Sequence, residues 1–139
     1  KEESTTVKDE MDYLNLYLAI EKVRFGHRLN IDMQTDEACE TAKLPSLLLQ
    51  PIVENAIKYG LYGNIGELTI KIHVSCEQHF LKVVIENPFD VESIQSSKGT
   101  GFGLASVDRK LQLLFKRTDL LKIEQTTSDF KVELLIPQQ

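Results

Sequence analysis

Apolar residues recur at helical spacing in three stretches of this chain and at every second position in five others. In the first stretch Met11, Leu14, Leu18 and Phe25 form one row, and Tyr13, Leu16, Tyr17, Ile20 and Val23 form a second beside it. That spacing predicts a helix with an apolar surface wide enough to need cover on two sides, from the domain and from something beyond it. Thr6 followed by Asp9 resembles a capping box, Asp9 and Glu10 suit the positive end of a helix, and Gly26 is placed to end it.

Leu29, Ile31 and Met33 alternate with Asn30, Asp32 and Gln34, which predicts a half-buried strand. Asp36 to Lys43 is polar and reads as loop, with Pro45 suited to a short turn. Pro51 fits the first position of a second helix, buried through Ile52, Val53, Ala56 and Ile57 and ended by Gly60. Leu68, Ile70, Ile72, Val74 and Cys76 then alternate with polar residues. Phe80 to Glu86 follows after Glu77-Gln78-His79, which makes a β-hairpin. Pro88 to Gly99 has no clear period. Beyond it Leu104, Val107, Leu111 and Leu114 share one helix face, and Leu121 to Gln125 with Phe130 to Pro137 form a second hairpin. One apolar face per strand predicts an α/β (α+β) two-layer sandwich, a mixed and largely antiparallel sheet covered on one face by helices.

With 139 residues, 42% of them hydrophobic and 27% charged, the chain fits one globular domain able to bury a core. No apolar stretch approaches the roughly 18 residues of a membrane span, and the charged N-terminus lacks a signal-peptide pattern. A formal charge of −5 argues against a nucleic-acid surface, which needs clustered Lys and Arg. Cys39 and Cys76 have neither CxxC spacing nor a histidine cluster, so reduced thiols packed as small hydrophobes are the expectation.

Two segments carry chemistry. In Pro51-Ile52-Val53-Glu54-Asn55-Ala56-Ile57-Lys58-Tyr59-Gly60, helical spacing sets a carboxylate, an amide and an ammonium within about one turn. The Asn55 carbonyl oxygen suits Mg²⁺, which takes few protein ligands and fills its shell with waters and phosphate oxygens. Lys58 offers a point charge to a phosphate, and Glu54 can accept a proton from a nucleophile. On spacing alone, an i,i+4 Glu–Lys pair on a solvated face explains the pattern equally well. In Gly99-Thr100-Gly101-Phe102-Gly103-Leu104, glycines run into a helix start, where free N–H groups and the dipole favour an anion. The segment lacks the Lys-Ser/Thr of a P-loop and does not directly follow a strand as a dinucleotide fingerprint would.

In this order the two segments, with a strand between them, make the chain resemble the catalytic ATP-binding domain of sensor histidine kinases, and more narrowly the LytS-type group of the GHKL ATPase superfamily. The resemblance covers nearly the whole chain and implies a Bergerat-type fold with ATP and Mg²⁺ as cofactors. Glu54 and Asn55 fall on the N box, Glu54 as the base toward the attacking histidine and Asn55 as the metal ligand. Lys58 falls on a phosphate-contacting position and Tyr59 where an aromatic lies near the nucleotide. Gly99, Thr100, Gly101 and Gly103, with Leu104 after them, match the G2 box, and Lys98 is a further candidate phosphate contact. The family's G1 box has an Asp followed by Asn-Gly or a similar pair, whereas this strand runs Val83-Val84-Ile85-Glu86-Asn87-Pro88. Strand parity puts Asn87 on the inward face, so Asn87 is the first candidate for the adenine contact and Glu86 the second.

The resemblance also implies partners: a phosphoacceptor-histidine helical domain of the same protein, a response regulator, and a homodimeric, membrane-associated intact sensor. None of His27, His73 and His79 sits in a phosphoacceptor context. Residues 1–26 are therefore read as the helix joining that absent module and 27–139 as the catalytic domain, a cytoplasmic fragment of a plasma-membrane sensor. The alternatives are a degenerate, non-catalytic nucleotide-binding signalling module, or another GHKL ATPase.

Overall fold

β-Branched and apolar residues at alternate positions, broken by short turns, build the main sheet of the protein. The computed structural model describes residues 4–61, 66–88 and 102–138, with only the backbone at 102 and 103. In chain order the elements are β1 (Ser4–Thr6), α1 (Val7–Phe25), β2 (Leu29–Thr35), β3 (Lys43–Pro45), α2 (Gln50–Leu61), β4 (Leu68–Glu77), β5 (Phe80–Pro88), α3 (Phe102–Phe115), β6 (Leu121–Gln125) and β7 (Asp129–Pro137). The five-stranded sheet has the order β2-β4-β5-β7-β6, with β2 parallel to β4 and the other neighbours antiparallel.

Register fixes which face is buried. Ile72 opposes Ile85, Ile85 opposes Val132, Val74 opposes Val83 and Val83 opposes Leu134, so the apolar positions of β4, β5 and β7 line one face. They join Leu14, Ile52, Ile57, Leu104, Val107 and Leu111 from the helices in one core. The other face carries a row of alternating charge, Asp32, Lys71, Glu86, Lys131 and Glu124, one residue from each strand in order. Opposite charges on adjacent strands stabilise a sheet face that water reaches. The two-layer sandwich predicted from the strand pattern is the observed architecture.

α1 begins at Thr6, whose Oγ1 accepts from the Asp9 N–H at 3.2 Å, and ends at Gly26, where φ is +59°. Val7, Met11, Leu14 and Leu18 are buried in the core, while Tyr13, Leu16, Ile20 and Val23 are exposed. Among the described residues no helix is long and apolar enough to cross a membrane.

Four local expectations are corrected. The polar stretch after Asp36 contains a short 3₁₀ turn, Glu37–Cys39, and then β3, which pairs antiparallel with β1; three-residue strands leave no readable period. α2 starts one residue before Pro51 and runs through Gly60 to Leu61. Gly60 stays helical because Leu68 packs against it: a Cβ there would lie 2.6 Å from Leu68 Cδ1. Leu114 is exposed, whereas Leu104, Val107 and Leu111 are buried. Cys39 and Cys76 are paired as a disulfide with Cα atoms 5.7 Å apart. Parallel pairing of β2 with β4 and the Asp36 N–H on the Val74 carbonyl (3.0 Å) bring these distant cysteines together, which no local spacing announces.

Candidate functional site

Three chain segments converge at one end of the helical layer. The last turn of α2 touches the start of β4 through Gly60 and Leu68. Because Lys71 opposes Glu86, the start of β4 lies beside the end of β5, where Asn87 sits. α3 packs on α2 with its later half toward the α2 start, since Lys110 Nζ donates to the Ser46 carbonyl at 2.9 Å. Its N-terminal turn, with Gly103 and Leu104, therefore points toward the end of α2 that carries Lys58 and Tyr59.

The predicted residues take the following places. Glu54 is exposed, and its Oε2 accepts from Gln50 Nε2 at 2.7 Å. Among the described residues no ion pair joins Glu54 to Lys58, so the simple i,i+4 pair does not form. Asn55 is half-buried on the next step of the helix, and its amide meets no hydrogen-bonding partner among the described residues. Lys58 is exposed, with Nζ 5.5 Å from the ring centroid of half-buried Tyr59. Asn87 is 8% exposed on the inward face of β5, in line with Val83 and Ile85. Its Nδ2 donates to the Pro88 carbonyl at 2.8 Å, and among the described residues nothing donates to its Oδ1. Glu86 lies on the opposite, solvated face between Lys71 and Lys131, away from α2. Leu104 is buried in the first turn of α3 and Gly103 lies beside it. Gly99, Thr100, Gly101 and Lys98 fall outside the described residues.

Sequence reasoning missed what holds α2. Its first N–H groups need acceptors, yet the residue before Gln50 is Leu49, among the poorest caps. Glu10 of α1 instead holds the turn that leads into α2, from elsewhere in the fold. This carboxylate, 4% exposed, accepts from the N–H of Leu47 (3.0 Å), Leu48 (2.8 Å) and Leu49 (3.1 Å). Leu47 adopts φ +58°, which turns successive N–H groups toward one anion. A leucine run where a Ser, Thr, Asp or Asn cap belongs was the available signal.

These groups suit an anionic nucleotide with a hard cation. Asn55 provides an unpaired amide oxygen, Lys58 an exposed cation, and the α3 start a positive helix end. Gln50 Oε1, beside Glu54, is a further buried oxygen without a partner. A hollow of about 590 Å³ lies elsewhere, among Lys43, Pro45, Leu114, Phe115 and Gln138. With Lys43 as its one charged wall, it offers far less to a triphosphate.

Comparison with known proteins gives the same direction. No protein-family model matches the chain. It is 29% identical over 143 residues to the sensor protein LytS of Staphylococcus epidermidis, covering 95% of this chain and 24% of that protein. It is 34% identical over 114 residues to the sensor histidine kinase BtsS of Escherichia coli K12, covering 81% of this chain and 20% of that protein. The chain thus spans about a quarter of the length of the curated relatives it matches. Among solved structures, the histidine kinase AdeS of Acinetobacter baumannii superposes with TM-score 0.70 at 17% identity, over 99% of this chain and 67% of that one. The catalytic domain of histidine kinase ThkA gives 0.60 at 16%, over 97% and 94%. ThkA in complex with the response regulator protein TrrA gives 0.64 at 17%, over 98% and 41%. At such identities the structural likeness speaks for the fold.

Proposed function

From a chain that is homologous to LytS-type sensor histidine kinases and folds as a histidine kinase catalytic domain, we infer an ATP-binding catalytic domain that passes the γ-phosphate of ATP to a histidine outside this chain. The observation that carries this reading is the convergence of the Glu54-Asn55-Lys58 turn, the end of β5 and the start of α3 at one end of the fold.

Each residue then has a task. Asn55 holds Mg²⁺ through its amide oxygen, and Lys58 holds a phosphate oxygen. Asn87 accepts the adenine amino proton on Oδ1. The backbone N–H groups at the α3 start, with the glycines before it, face the phosphates. Glu54, exposed and within one turn of Asn55, takes the proton of the attacking imidazole. When bound, Mg²⁺ neutralises charge on the phosphates. The protein's own share of catalysis is positioning and fixed charge, the main terms in phosphoryl transfer. α1 joins this domain to the phosphoacceptor module, and a response regulator takes the phosphoryl group from there.

Titration calorimetry with Mg²⁺ and a non-hydrolysable ATP analogue tests the binding half. Micromolar to submillimolar affinity is expected, falling at least tenfold in Asn55→Ala with an unchanged thermal midpoint. Supplying the acceptor domain tests the chemistry: Glu54→Ala should retain the analogue and lose phosphotransfer about a hundredfold or more. Absence of binding at millimolar analogue would leave the degenerate signalling module as the better reading.

A further inference from the structure

Glu10 does more than stabilise a turn. It is nearly buried, it belongs to α1, and its carboxylate accepts from three consecutive backbone N–H groups just before α2. Its charge is supported twice, by its place in the first turn of α1 and by the positive end of α2. The Leu49 carbonyl accepts from Ile52 and Val53, so the third of those N–H donors is also the first residue of the α2 hydrogen-bond ladder. From there Glu54 and Asn55 lie about 8 and 9 Å along the helix axis, at 1.5 Å per residue. Among the described residues no other side chain accepts from the N–H groups of residues 47–49.

The surroundings make α1 and this turn one unit. Val7 and Lys8 donate to the carbonyls of Ala42 and Glu40 at 2.9 and 3.0 Å, and β1 pairs with β3 along Ser4–Pro45, Thr5–Leu44 and Thr6–Lys43. The segment from Glu40 to Leu49 is therefore fastened to β1 and the first turn of α1 at Glu40, Ala42, β3 and residues 47–49. A shift of α1 along its axis reaches the turn before α2 through a charged contact with three bonds, whereas no hydrogen bond among the described residues ties α1 to α3 or β5.

We propose that Glu10 is a positioning residue for the nucleotide site: its carboxylate sets the axial placement of α2, and with it the metal and phosphate contacts of Asn55 and Lys58, leaving the adenine contact on β5 untouched. This rests on the nucleotide reading given above. Glu10→Gln keeps the shape and volume. It leaves one acceptor oxygen for three N–H groups and turns an NH₂ toward one of them, so the clamp is broken while the core stays filled.

The expected result is a split. In Glu10→Gln the Kd of the non-hydrolysable ATP analogue with Mg²⁺ rises about tenfold, and the Kd of the same analogue in EDTA, which keeps only the Lys58 part of the loss, rises about threefold. Met11→Ala, which thins α1 packing next to Glu10 and spares the carboxylate, serves as the control: at a comparable loss of thermal midpoint it moves both constants together. Equal shifts with and without metal in Glu10→Gln, or none in either, would overturn the proposal. Native-state hydrogen exchange gives a readout free of nucleotide. Glu10→Gln should speed exchange at amides 47–58 and leave α3 and β5 at their wild-type rates, and uniform acceleration contradicts the clamp. If the wild type binds no nucleotide, the functional reading fails on that result while hydrogen exchange still decides the clamp.

Discussion

Asn87, proposed above as the adenine contact, is an amide whose orientation the structure defines. An asparagine can present either oxygen or NH₂, and the sequence leaves that choice open. The bond from Nδ2 to the Pro88 carbonyl makes the choice, because the flipped amide would set two acceptors 2.8 Å apart. Asn87→Leu is predicted to weaken the ATP analogue about tenfold and to narrow its preference over the GTP analogue, read by parallel titrations. Asn87→Asp is predicted to destabilise the domain by about 1–3 kcal/mol, because the buried carboxylate then faces that carbonyl without a proton to share. Urea denaturation measures this second outcome. Glu86 takes the opposite parity along β5. It is the more familiar acid, yet its side chain belongs to the charged row on the far face of the sheet.

The helices and long strands were legible because each holds its period over nine or more residues or ends at a strong signal. Thr6 and Gly26 bound α1 as their chemistry predicts. Elements that depend on distant partners were not legible. β1 and β3 are three residues each and exist through one another. The turn into α2 is held by a carboxylate some forty residues upstream, and α2 continues past Gly60, where Leu68 occupies the space that a side chain would need. Gly60→Ala therefore gains about 1 kcal/mol of helix propensity and loses more to overpacking, for a net cost of about 1 kcal/mol. Combining it with Leu68→Ala should cost less than the sum of the single changes, since the new methyl fills part of the vacated space. Additive losses in a double-mutant cycle would show that the two sites do not meet.

At the scale of the whole molecule, the sequence pattern predicted the two-layer sandwich and its two hairpins, but not the pairing of β2 with β4 or of β5 with β7. The parallel pairing of β2 with β4 is the step that brings Cys39 to Cys76, and the crossover between them carries α2, whose last turn packs at Gly60 against Leu68 at the start of β4. Motif spacing alone placed three polar residues on one helix; the topology sets that helix against Asn87 and the α3 start. The exposed row from Asp32 to Glu124 keeps the other face of the sheet wet, which confines the candidate site to the helical side. The central claim is that nucleotide binds where α2, β5 and α3 converge. Backbone amide chemical-shift mapping during titration with Mg²⁺ and the ATP analogue tests it most directly. The account predicts saturable shifts concentrated at residues 54–59, at Asn87 and at 103–104. Shifts centred on the hollow around Lys43, Phe115 and Gln138, or none at millimolar analogue, would contradict it.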